Sequence, residues 1–152
     1  MDFYIEDQLV LNDFDVVAAA GGSLRAHVVT MAQPFYITDG DVTITMSAST
    51  NTVVISAVEV ISSANLVVQR INCGATARTP VMMNKVSWSK DAYALSGALS
   101  NRCGTNITNS IYCSSRYFGA LIGTPLRYSI PVPYNNTLYA LRLHFNEQVN
   151  TS

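Results

Sequence analysis

The sequence predicts an all-β protein built as an antiparallel sandwich. Three observations lead there. Apolar and polar residues alternate with a period of two in several short runs, the pattern of a strand with one buried face. Breaks rich in Gly, Ser, Asn and Thr separate those runs. No window holds a 3.6-residue apolar period, so no helix is expected.

In chain order, "DFYIED" (2–7) and "LRAHVVTM" (24–31) read as strands, with "AAAGGS" (18–23) as a turn-forming break between them. "PFYITDGDVTITM" (34–46) reads as a hairpin about Asp39-Gly40. Its expected register sets Ile37 opposite Val42 and Phe35 opposite Ile44 on an apolar face, with Tyr36–Thr43 and Thr38–Asp41 on a polar one. "VVISAVEVI" (53–61) is apolar on both faces, as a central strand is, apart from Glu59. "LSGALSNRCGTNITNS" (95–110) is a long polar connection of the kind that serves a function or is pinned covalently. In "LRYSIPVP" (126–133) Pro131 and Pro133 mark an edge strand or a strand end, because proline cannot donate to the ladder. "LYALRLHF" (138–145) sets Tyr139, Leu141, Leu143 and Phe145 on one inward face.

The 152 residues suit one domain, and 49% hydrophobic against 12% charged residues supplies a substantial core. A net charge of −1 gives no field for a phosphate backbone, so no nucleic-acid partner is expected. The longest apolar run is too short for a bilayer span, so no membrane insertion by this segment is expected. Asn106, Asn135 and Asn150 each begin an N-glycosylation sequon. Cys103 and Cys113 bracket a polar loop at a spacing suited to a small disulfide ring, leaving Cys73 over. These features predict residence in the secretory pathway or outside the cell, the lumen of the endoplasmic reticulum included. The acidic start "MDFYIEDQ" is no leader, so the expectation is a piece of a longer protein.

The stretch "ISAVEVISSANLVVQRINCG" (55–74) reads as the end of one unit and the start of another. "RINCG" (70–74), "WSKDAY" (88–93), "IYCSSRYFG" (111–119), "LRYSIPV" (126–132) and "LYALRLHFNE" (138–147) resemble, in that order, the front half of a malectin domain. "FYIEDQLVLNDFDVVAAAGG", "TDGDVTITM" and "ISAVEV" resemble its back half. Residues 1–62 thus resemble the C-terminal half and residues 67–152 the N-terminal half, in reversed order. The resemblance implies a jelly-roll or galactose-binding-like sandwich, either circularly permuted or cut across two tandem repeats with neighbouring malectin repeats in the parent chain. The two halves are expected to close into one permuted sandwich, with Ser62 to Leu66 as the turn between neighbouring strands. Part of the family pattern is missing, which leaves an open edge.

The resemblance also implies a non-catalytic carbohydrate-binding module whose partner is an oligosaccharide or glycan. An aromatic ring covers the C–H face of a pyranose while side chains meet its hydroxyls. By position Tyr117 matches a sugar-contacting tyrosine, Tyr93 is a looser match to a second, Phe118 extends the platform, and Asn51 falls where the family has an acidic contact. Each aromatic also has an ordinary reading as a strand tyrosine or phenylalanine. The sequence departs from the family in lacking an aromatic pair after "LHFNE" and in carrying Asn51 for the acid. The alternative function is a structural or protein-interaction sandwich that has lost the sugar site.

No enzyme is expected. Ser87 and Lys90 fit an S-x-x-K spacing without its companion motifs. His27 and His144 alternate with apolar neighbours and read as surface histidines, so no metal and no cofactor are expected. Asp39 and Asp41 flank a tight turn, where aspartate is conformational, and do not make a glycosidase pair. Cys73 reads as a buried thiol with no role as a nucleophile.

Overall fold

The computed structural model describes residues 1–23, 25–31, 33–48, 53–75, 81–83, 85–101, 111–118 and 125–146, without the side chains of 53, 81–83, 100, 101 and 118. The strands are β1 Asp2–Ile5, β2 Gln8–Leu11, β3 Ala26–Thr30, β4 Phe35–Ile37, β5 Asp41–Ser47, β6 Val53–Ile55, β7 Ala57–Ser62, β8 Val67–Asn72, β9 Val81–Met83, β10 Val86–Trp88, β11 Ala98–Asn101, β12 Ser114–Phe118, β13 Leu126–Pro131 and β14 Thr137–Asn146. One helix, α1 Val16–Ala20, departs from the expected turn at "AAAGGS". Asp15 caps its first turn by accepting from the Ala18 amide at 3.0 Å, and Gly21 ends it at φ +70°. Five residues are too few to show a helical period.

One sheet runs β13-β5-β1-β2. A second runs β3-β14-β7-β8, with β4 also paired to β14. All pairings between strands are antiparallel. The inward residues of the first sheet, among them Phe3, Ile5, Val42, Ile44, Leu126 and Ile130, pack in one buried cluster with Val58, Val60, Ile71, Leu141, Leu143 and Phe145 of the second. Phe3 and Phe145 meet edge to face at 5.5 Å. β14 lies between β7 and β3, so a strand from residues 67–152 is the neighbour of two strands from residues 1–62.

Several expectations correspond to observed elements. β7 is central and buried from Ala57 to Ile61. β13 is an edge strand and ends at Pro131. Residues 63–66 join the antiparallel neighbours β7 and β8. The Ser62 amide donates to Leu66 O and the Asn65 amide to Ser62 O, both at 2.8 Å, with Asn65 at φ +59°.

The hairpin at Asp39-Gly40 is corrected. β4 pairs with β14, setting Tyr36 opposite Leu138, while β5 pairs with β1 and β13. The turn carries the chain from one sheet to the other. The Val132 amide donates to Gly40 O at 2.9 Å and the Asn136 amide to Ile37 O at 2.7 Å. Ile37, Val42 and Ile44 face the core in either arrangement, because alternation reports which face is buried and not which strand lies alongside.

Candidate functional site

The residues of the "RINCG", "WSKDAY" and "IYCSSRYFG" elements converge on Asp91. Its carboxylate, 2% exposed, accepts from the Gly74 amide at 2.8 Å, from Arg116 Nε at 2.7 Å and from the Tyr128 hydroxyl at 3.1 Å. Arg116 then donates from Nη1 to Ser96 O at 3.1 Å and Gly97 O at 2.7 Å. A buried carboxylate is stable in its charged form only with such a set of donors. Gly74 sits at φ +82°, and a Cβ there would collide with the Ser115 backbone. The site therefore needs glycine at that position. Ser114 Oγ donates to the buried Asn72 Oδ1 at 2.8 Å, a further tie between β12 and β8.

This framework carries the two tyrosines expected to meet sugar. Tyr117 lies on β12, opposite Ala98 of β11 and Val54 of β6. Adjacent to Arg116 on the strand, it points to the opposite face and is half-buried. Tyr93 is 40% exposed at φ +67°, a conformation costly for an aromatic residue, and its carbonyl accepts from the Ser129 amide at 3.0 Å. No ring contact joins Tyr93 to Tyr117 among the described residues. What links them is Arg116, which holds the segment after Tyr93 against β12. The Phe118 backbone pairs with Val53. Asn51, Asn106, Asn150 and Cys103 lie outside the described residues. Asn135 is exposed in the turn before β14. Cys113 is disulfide-bonded. Cys73 is free and fully buried, and burial pushes its thiol far above its ordinary range.

A second polar cluster went unforeseen. Glu59 projects from β7 away from the main core, in register with Arg142 of β14 and Arg70 of β8. Its carboxylate accepts from Arg70 Nε at 3.0 Å and from Arg142 Nη1 at 2.9 Å. His144 Nε2 lies 3.3 Å from Glu59 Oε2, and Nδ1 lies 3.1 Å from the Tyr112 hydroxyl. With the imidazole neutral, Nε2–H donates to Glu59 and Nδ1 accepts from Tyr112. Trp88 stands edge-on to the His144 ring at 5.3 Å. His144 is 6% exposed, which corrects its reading as a surface histidine. Alternation along β14 assigned it to the outward face, but that face is covered here by Trp88, Ile111 and Tyr112. Burial lowers the His144 pKa, the neighbouring Glu59 raises it in part, and the net shift is downward. For Glu59 burial acts upward, but hydrogen bonds from Arg70, His144 and Arg142 outweigh it and hold the carboxyl below its ordinary value. A lone Glu in an apolar strand was the signal that could have led to this cluster.

Ser87 and Lys90 are both exposed. Among the described residues no group of three His, Cys, Asp or Glu side chains could hold a metal ion. No described helix is long and apolar enough to cross a membrane. A concavity of about 370 Å³ lies on the outer face of the β14–β7 sheet, and neither Tyr117 nor Tyr93 lines it.

Residues 1–66 match the family model of the malectin domain. The match ends in the turn between β7 and β8. No curated protein matches the chain, and no solved structure does. The chain thus contains malectin-type sequence, and its mostly antiparallel all-β architecture is consistent with that family. Malectin domains bind carbohydrate in general and are typically extracellular or lumenal in the endoplasmic reticulum.

Proposed function

We propose that this malectin-type sandwich is a non-catalytic module that recognises a glucan or other glycan by stacking on Tyr117, with Tyr93, Phe118 and Asn51 contributing to the same site. We further read residues 1–62 and 67–152 as the C-terminal and N-terminal halves of one domain joined in permuted order. The observation that supports the site most is the Asp91–Arg116 pair. It is built from the same elements that resemble the family's, and it fixes the strand bearing Tyr117 to the segment bearing Tyr93. A half-buried tyrosine on a rigid strand offers a ring at little cost in conformational entropy. Two buried carboxylates, Asp91 and Glu59, are both engaged with arginine, which supports a binding role over acid–base hydrolysis. The exposed Asn135 and the disulfide-bonded Cys113 support placement in the secretory pathway or outside the cell.

The test is a glycan array followed by titration calorimetry on the best hit, comparing the native chain with Tyr117→Ala. The expected outcome is a signal for a glucan or related glycan that weakens roughly tenfold in the variant, the equivalent of about 1.4 kcal/mol. An unchanged melting temperature would show that the loss is local. A protein-interaction role is the second reading, favoured by the exposure of Leu95 (68%) and Leu99 (44%) beside the same framework. A native chain silent on the array would favour it.

A further inference from the structure

The groove on the outer face of the β14–β7 sheet is separate from the Tyr117 framework. Its position follows from register. Leu138 and Ala140 alternate with the buried Tyr139 and Leu141, so they face away from the core. Ala140 stands opposite Ile61 of β7, and Met31 adjoins them at the end of β3. The Leu138, Ala140 and Ile61 side chains make an apolar floor, and Met31 of the core cluster borders it. One rim is polar and comes from the β7–β8 turn, with Ser62, Ser63 and Asn65. At the other side Tyr36 pairs directly with Leu138, which sets its ring on the same face, and it is 57% exposed.

We propose that this groove is a second binding site, for a neutral saccharide. Three features select that occupant. The first is charge: among the described residues no ionisable side chain lines the groove. In the next row of side chains along the strands, both guanidinium groups are turned onto Glu59. An anionic or cationic partner would find no counter-charge. The second is size. At about 370 Å³ the concavity is near the lower end of the roughly 300–1,000 Å³ usual for small-ligand pockets. Eight residues line it, whereas a stable protein interface takes roughly 20–30 residues a side. The third is chemistry. An apolar floor with an adjacent tyrosine ring meets the C–H face of a pyranose, and the serine hydroxyls and asparagine amide supply donors and acceptors for its hydroxyls.

The groove does not depend on Tyr117, so the two sites succeed or fail separately. The test is a titration of the ¹⁵N-labelled full chain with neutral gluco- and galacto-oligosaccharides, followed by amide shifts. Shifts are expected at Ile61–Leu66 and Leu138–Ala140. Leu138→Arg, a change at a 40% exposed position, should weaken them at least tenfold. Tyr117→Ala should leave them in place. Three results would overturn the proposal: still amides along both segments, shifts indifferent to Leu138→Arg, or shifts that follow protein concentration together with a doubling of mass. The last would make the occupant a second copy of the chain.

Discussion

Asp91→Ala should lower folding stability by about 3–5 kcal/mol and the melting temperature by on the order of 10 °C. The reason is what remains behind. Three donors converge on the Asp91 carboxylate, and only one of them, Arg116, is charged. The Arg116 side chain is 15% exposed, so it cannot swing fully into water when its partner is removed. Its two remaining bonds, to Ser96 O and Gly97 O, do not neutralise it. The stranded charge carries most of the cost. The double variant Asp91→Ala/Arg116→Met should therefore recover a measurable part of the stability lost in the single one. Urea midpoints of the three proteins decide this. If the double variant is as weak as Asp91→Ala or weaker, the cost comes from packing and not from a stranded charge. Glycan affinity should fall in both variants, since Tyr117 loses the framework behind its strand.

The second large effect lies in the Glu59 cluster. Glu59→Ala is expected to cost about 1–3 kcal/mol. The smaller figure reflects solvent: the Arg70 and Arg142 side chains are 32% and 39% exposed and can turn to water, while His144, at 8%, cannot. The same cluster predicts acid sensitivity. His144 titrates below its ordinary 6.5 in the folded chain, so the unfolded chain takes up that proton first. Its contribution is complete above pH 6.5 and is lost as pH falls through the folded value. Glu59 titrates below its ordinary 4.5, so its contribution is complete above pH 4.5 and is lost as pH falls further. Both signs agree. Stability should decline between pH 7 and pH 5, and decline again below 4.5. His144→Gln should flatten the first step, while the second persists because Arg70 and Arg142 still hold the Glu59 carboxyl low. A native chain whose urea midpoint holds level or rises from pH 7 to pH 5 would contradict this assignment.

How far the fold could be read in advance depended on the kind of signal. The alternation in Val42-Thr-Ile-Thr-Met46 and in Tyr139 to Phe145 named the buried faces correctly, because a pleated strand admits one inward set. Pro131 placed β13 at an edge for want of a donor. Partners were harder. Phe35 and Val42 looked like a hairpin because both sit near a tight turn, yet the turn crosses between sheets. Burial of the outward face was harder still. His144 and Glu59 share it with Arg142, and Trp88, Ile111 and Tyr112, arriving from distant sequence, close it over His144. In the candidate site, Asp91 and Arg116 lie within the "WSKDAY" and "IYCSSRYFG" segments, but no linear signal joins them. The groove beside Leu138 left no linear trace. It joins Met31, Ile61 and Ala140, residues separated by tens of positions.

Residues before and after the β7–β8 turn share one buried interior, which predicts that they unfold as one unit. Trp88, the sole tryptophan, reports on the later portion, and the methyl signals of Ile5 and Ile44 report on the earlier one. Urea unfolding followed by both probes on the same full-length sample tests the claim directly. One shared midpoint is the predicted result. Two separated midpoints, with the isoleucine methyls and the tryptophan released independently, would contradict it.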